Sequence, residues 1–146
     1  MKKDTSLKTY EISENVDSFL NEPNLAYSVS QIRYGISYSD FSAVVAKSPF
    51  DYKDWSSFLH ISERTFQRYN KLNQHFEPLQ SERIIEITRL YRLGYEIFGE
   101  EKNFARWLEM QNLALGNVTP KSLLDSIYGI SSVMDELHKI GQGILA

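Results

Sequence analysis

The stretch "SERIIEITRLYRLGYEIFG", from Ser81 to Gly99, limits the possible folds of this chain more than any other. Ile84, Ile87, Leu90, Tyr91, Gly94, Ile97 and Phe98 recur at steps of three and four residues, which lays them along one side of an α-helix. Ser81 stands where such a helix would be capped, and Gly99 where its end favours a left-handed residue.

The same punctuation recurs on both sides. Ser37 and Asp40 have the spacing of a capping box, Phe41, Val44 and Val45 share one helical face, and Ser48-Pro49 ends that element. Asp51 can cap a second helix carrying Trp55, Phe58 and Leu59, and Ser62 a third with Phe66 and Tyr69 on its inner side. A polar loop, "NQHFEPLQ", leads into the long helix. Beyond Gly99, Phe104, Trp107 and Leu108 fall together, Thr119 caps a helix with Pro120 at its first position, and Val133, Met134, Leu137 and Ile140 form a last stripe before Gly141. No segment alternates like a strand, so the expected fold is all-α with about seven helices. Residues 1 to 33, with scattered apolar positions (Tyr10, Ile12, Val16, Phe19, Leu20, Leu25), read as an N-terminal arm with one short helix.

A chain of 146 residues suffices for one compact domain, or two very small ones sharing a core. It contains no cysteine, which removes disulfides, thiolate metal sites and thiol nucleophiles. The start, "MKKDTSLKTYEISENV", lacks the apolar stretch of a secretory signal, and no window approaches the roughly 18 apolar residues of a membrane span. The expectation is therefore a cytoplasmic protein with no membrane partner. The net charge of -3 argues against indiscriminate nucleic-acid binding. Its distribution is uneven: nine Lys/Arg against eight Asp/Glu from 31 to 98, three against five before that, and four against six after it.

The two short helices around His60 have the form of a helix-turn-helix. With Phe66 and Tyr69 inward, Glu63, Arg64, Gln67, Arg68 and Lys71 point outward, and Arg64 and Arg68 lie one turn apart. Arg pairs with guanine and Gln with adenine in the major groove, while Ser62, Thr65 and Lys71 could reach phosphates. The alternative is an ordinary amphipathic helix with a wet basic side. His60 occupies a turn position where glycine is common in such pairs, and Glu63 would repel phosphate.

Nothing calls for an enzyme, a metal or a cofactor. His60, His75 and His138 are isolated from one another and from nucleophile patterns. The "GQG" at Gly141 to Gly143 is too short for a phosphate loop. Carboxylates at i, i+4, such as Glu82 and Glu86 or Glu96 and Glu100, read as a solvated helix face.

From about Ile36 to Ala146 the chain resembles the Xre/MbcA/ParS antitoxin family. "LHISERTFQRYNK" followed by the long helix is similar to its Xre-like helix-turn-helix. The more specific match is to its C-terminal toxin-binding module: Phe104, Trp107-Leu108, Asn112, Ala114-Leu115-Gly116, Pro120, Leu123-Leu124, Asp125, Gly129, Val133, Leu137, Ile140 and Gly143. Gln111 stands where the family usually has Pro, and Asn117 where a second Gly is usual; Asn is the next best residue at positive φ.

Beyond the arm (1–33), which lies outside it, the resemblance implies an Xre-like helix-turn-helix domain (34–98) and a small helical toxin-binding domain (99–146). It implies a non-catalytic antitoxin that silences a RES-domain, NAD-degrading toxin, forms homodimers and represses its own operon through operator DNA. The alternative reading is a free-standing helix-turn-helix regulator without a toxin; a helical adaptor that no longer binds DNA is a third. The resemblance directs attention to Asn112, Leu113, Leu115, Asn117, Lys121, His138, Ile144 and Leu145 as the toxin-facing residues. Trp107 either joins the two modules or lies at the interface, and Ile144 and Leu145 either meet the toxin or fold back on the long helix.

Overall fold

The computed structural model describes residues 25–143. The arm's Tyr10, Ile12, Val16, Phe19 and Leu20, and the C-terminal Ile144 and Leu145, lie outside the described residues. Within them the chain is all-α, with seven α-helices and two short 3-10 turns: α1 (Leu25–Tyr34), α2 (Tyr38–Lys47), α3 (Tyr52–Leu59), α4 (Glu63–Leu72), α5 (Pro78–Phe98), α6 (Glu101–Leu108), the turns Leu113–Leu115 and Pro120–Leu123, and α7 (Ile127–Gly141).

Local chemistry sets most of these boundaries. Ser37 accepts the Asp40 amide and starts α2, although the reciprocal half of the expected capping box is not formed. At α3 the box is complete: the Asp54 amide donates to Asp51 Oδ1 at 2.8 Å, and the Asp51 amide to Asp54 Oδ2 at 3.1 Å. Ser62 caps α4 by accepting the Thr65 amide at 3.1 Å. Gly99, at φ 75°, ends α5 as its position in the sequence suggests.

Two boundaries differ from the sequence reading. The long helix begins at Pro78, three residues before Ser81, because Pro suits the first helical position and Gln80 reaches back to the Glu77 amide at 3.1 Å. Ser81 is instead wholly buried inside the helix, where its hydroxyl accepts the Ile36 amide at 2.9 Å and ties the α1–α2 turn to α5. The segment opened by Thr119 and Pro120 is a single 3-10 turn rather than an α-helix. The chain breaks at Leu124 and Asp125, and Ser126 starts α7 afresh by accepting the Gly129 amide at 3.0 Å.

One hydrophobic core runs through the described residues, with α5 as its axis: α1, α3, α6 and α7 all pack against it. Surrounded in this way, α5 buries Ile85 and Thr88 as well as the expected Ile84, Ile87, Leu90, Tyr91 and Gly94. Thr88 satisfies its hydroxyl by donating to the Ile84 carbonyl one turn back, at 2.6 Å. On one side the core is aromatic and centred on Phe41, whose ring lies 4.8 Å from Phe76 and 5.4 Å from both Trp55 and Phe66. On the other, Phe104 meets Tyr95, Phe98 and Trp107 at 5.7–6.1 Å. The helix in the arm, α1, is anchored where Arg89 of α5 donates to the buried Ser28 hydroxyl at 3.2 Å.

Candidate DNA-reading and partner-binding faces

The α3–turn–α4 unit has the geometry of a helix-turn-helix. Its turn closes at His60, which adopts a left-handed conformation (φ 54°, ψ 40°) rarely used by residues with a β-carbon. The ring offsets this strain: Nε2–H donates to the Asp125 carbonyl at 2.8 Å, 65 residues away. Phe66 and Tyr69 of α4 are buried, while Arg64, Gln67, Arg68 and Lys71 are exposed on the opposite side, as the spacing requires. The Arg68 guanidinium lies 5.8 Å from the Tyr69 ring centroid. Two of the residues singled out with them serve α4 itself: Ser62 is its cap, and the Thr65 hydroxyl, half-buried, shares a 2.9 Å hydrogen bond with Ser62.

His60→Ala retains the left-handed strain and loses the bond, so it should lower stability by about 1–2 kcal/mol. His60→Gly loses the same bond but removes the strain, and should be less destabilising by up to about 1 kcal/mol. Urea denaturation of the two variants side by side checks the order. Equal losses would mean that the turn stores no strain.

Three polar links join this unit to the C-terminal part, and none of them leaves a pattern in the sequence. Arg83 of α5 donates from Nη1 to the carbonyls of Phe58 (3.2 Å) and Asp125 (3.1 Å), so Asp125 O receives both Arg83 and His60. The Lys121 ammonium lies 3.0 Å from Asp54 Oδ1 on α3 and 2.7 Å from Glu109 Oε1 after α6. Burial alone would lower the Lys121 pKa, but hydrogen bonds to Glu109 and Asp54 outweigh it and hold the pKa above the ordinary lysine value. A raised lysine pKa stabilises the fold at neutral pH, and that stabilisation is lost only as pH rises past 10.5. Lys121, expected to face a toxin, is here engaged by two carboxylates of its own chain.

Between α6 and α7 the chain forms a tightly bonded loop. The Asn112 amide donates to the Val118 carbonyl at 3.0 Å, the Asn117 amide returns to the Asn112 carbonyl at 2.8 Å, and Asn112 Oδ1 accepts the Ala114 amide at 2.9 Å. Gly116 (φ 88°) and Asn117 (φ 63°) both turn left-handed, which explains why Asn is acceptable at 117. Thr119 closes the next turn by accepting the Ser122 amide, and Pro120 and Leu124 are buried beneath it.

This architecture separates the residues expected to face a partner. Leu113 is 86% exposed at the loop tip, Asn117 and His138 are exposed, Leu115 is half-buried against the core, and Asn112 is spent on holding the loop. Trp107 takes an intermediate position, half-buried on Phe98 and Phe104 yet lining an open groove beside Leu113. Among the described residues no cluster of His and carboxylates could hold a metal, and no helix is long and apolar enough to cross a membrane.

Comparison with known proteins matches both halves of this arrangement. Residues 28–89 match the antitoxin Xre-like helix-turn-helix domain, and residues 93–143 the antitoxin Xre/MbcA/ParS C-terminal toxin-binding domain. The antitoxin Xre of Photorhabdus laumondii is 28% identical over 103 residues, covering 64% of this chain and 70% of that protein. The antitoxin Xre of Yersinia enterocolitica is 29% identical over 87 residues, 59% of each chain. The chain thus matches the antitoxin Xre-like helix-turn-helix domain and the antitoxin Xre/MbcA/ParS C-terminal toxin-binding domain one after the other, on one continuous core.

Proposed function

We propose that this protein is the cytoplasmic antitoxin of a type II toxin–antitoxin pair. Its C-terminal part, 99–146, binds and silences a RES-domain toxin that degrades NAD. Its helix-turn-helix part, 34–98, represses its own operon as a homodimer on operator DNA. The observation that carries this reading is the union, in one fold, of an exposed basic α4 with a rigid loop that presents Leu113 to solvent. Silencing an enzyme requires a surface whose shape survives docking, and the hydrogen bonds within residues 112–122 supply that rigidity. Asn112, Leu113, Leu115, Asn117, Lys121, His138, Ile144 and Leu145 form the toxin-facing set in this reading, with Asn112 and Lys121 acting by holding the surface in shape.

On the DNA side, Arg64, Gln67 and Arg68 read bases, and Ser62, Thr65 and Lys71 approach phosphates. A homodimer would set two such helices about one DNA turn apart. Arg64→Ala and Arg68→Ala should each weaken operator binding by about 1–3 kcal/mol, whereas Lys71→Ala should chiefly reduce the salt dependence. Electrophoretic mobility shifts on the protein's own promoter at several salt concentrations measure both. Co-expression with a neighbouring RES-domain gene tests the whole reading. Growth arrest that persists in the presence of this chain, with no complex recovered, would refute it.

A further inference from the structure

One charged side chain in the C-terminal part is buried without a use inside the fold. Glu136 of α7 is only 4% exposed, yet its carboxylate has no hydrogen bond or ion pair with any described residue. It lines an open groove of about 510 Å³ whose apolar walls are Trp107 and Met110 at the end of α6, Leu113 and Ala114 on the loop, and Ile140 one turn further along α7. Met110 and Leu113 are exposed in the free chain.

The carboxylate has no protein donor, and the open groove beside it is its route to water and to a partner. The low-polarity walls strengthen its pull on any cation that enters. An apolar side chain would fill the groove but would complete the dehydration of Glu136 without giving it a partner. An arginine or lysine satisfies both parts of the groove: its methylene stem covers the walls and its charged head reaches the acid. The Trp107 ring adds a face against which a guanidinium can lie.

Resting on the antitoxin reading, we infer that this groove takes an arginine or lysine side chain projecting from the toxin, with Glu136 as its counter-charge. The partner is the toxin rather than a second copy of this chain because every wall of the groove lies within 93–143, the part matched to the toxin-binding domain.

Glu136→Gln keeps the size of the side chain and removes its charge. With the RES-domain product of the neighbouring gene as the probe, this variant should raise the dissociation constant about 30-fold or more, mainly through faster dissociation. One Arg→Ala or Lys→Ala substitution on the toxin should cause a similar loss that does not add to that of Glu136→Gln. The free variant should melt at about the same temperature as the wild-type chain, since the carboxylate makes no bond inside the fold. Three results overturn the inference. Glu136→Gln binding the toxin within about twofold of wild type would leave the antitoxin reading standing and remove only this groove's role. A melting temperature lowered by several degrees would mean that the carboxylate serves the fold. Failure of the wild-type chain to bind the toxin would remove both readings.

Discussion

Gly129→Ala should destabilise the protein by about 3 kcal/mol, lowering its melting temperature by about 6–12 °C, although alanine is the better helix former. A β-carbon at this position would sit 1.9 Å from the Leu123 carbonyl oxygen and 2.8 Å from its carbon. Neither side of that contact can yield easily. Leu123 closes the 3-10 turn capped by Thr119, Leu124 beside it is wholly buried, and Gly129 lies in the first turn of α7, where its amide donates to Ser126. The gain of about 1 kcal/mol in helix propensity is smaller than the cost of forcing two backbones apart. Gly141→Ala in the same helix is the control: its β-carbon meets only the Ile97 side chain, at 3.1 Å, and that chain can turn away. Thermal melts followed by circular dichroism separate the two, and a Gly129→Ala variant that melts like wild type would show the contact to be soft.

Phe104→Ala should cost about 3–5 kcal/mol, the range for a buried aromatic. The ring is fully enclosed and lies against the bare backbone of Gly94, where a β-carbon would come within 2.2 Å of it. Through this contact α6 sits close to α5 and carries the toxin-binding part on the same core as the helix-turn-helix. The two positions should therefore be strongly coupled. Gly94→Ala alone should be destabilising, but in the Phe104→Ala background the added methyl enters the vacated space and its cost should largely vanish. Because the core is continuous through α5, far-ultraviolet circular dichroism and tryptophan fluorescence should report one common unfolding transition in all these variants. Two separate transitions would mean that the halves fold independently.

Much of this architecture can be read from short-range patterns. The period of three and four residues locates α2 to α7, the Ser62 and Asp51 caps start two of those helices, and Gly99 ends the longest. His60 and Asn117 both adopt the left-handed conformation that their turns call for. The outward face of α4 follows from the burial of Phe66 and Tyr69. In most of these cases the chemistry acts between residues only a few positions apart, so the chain itself carries the information.

Misreadings occurred where a distant neighbour reassigned a residue. Ser81 has the composition of a cap but is buried to receive Ile36, 45 positions away. Thr119 and Pro120 have the form of a helix start, yet the packing of Gly129 against Leu123 allows only one 3-10 turn. Nothing local shows that Lys121 is held by Asp54 and Glu109. Nor does any local pattern show that Glu136 lines an apolar groove. The sequence by itself determined the helices, their caps and the basic face of α4, because those depend on local periodicity and local hydrogen bonds. Only the tertiary structure decided which polar groups hold the two halves together and which carboxylate is left without a protein donor, because such pairings join residues far apart along the chain and leave no local trace.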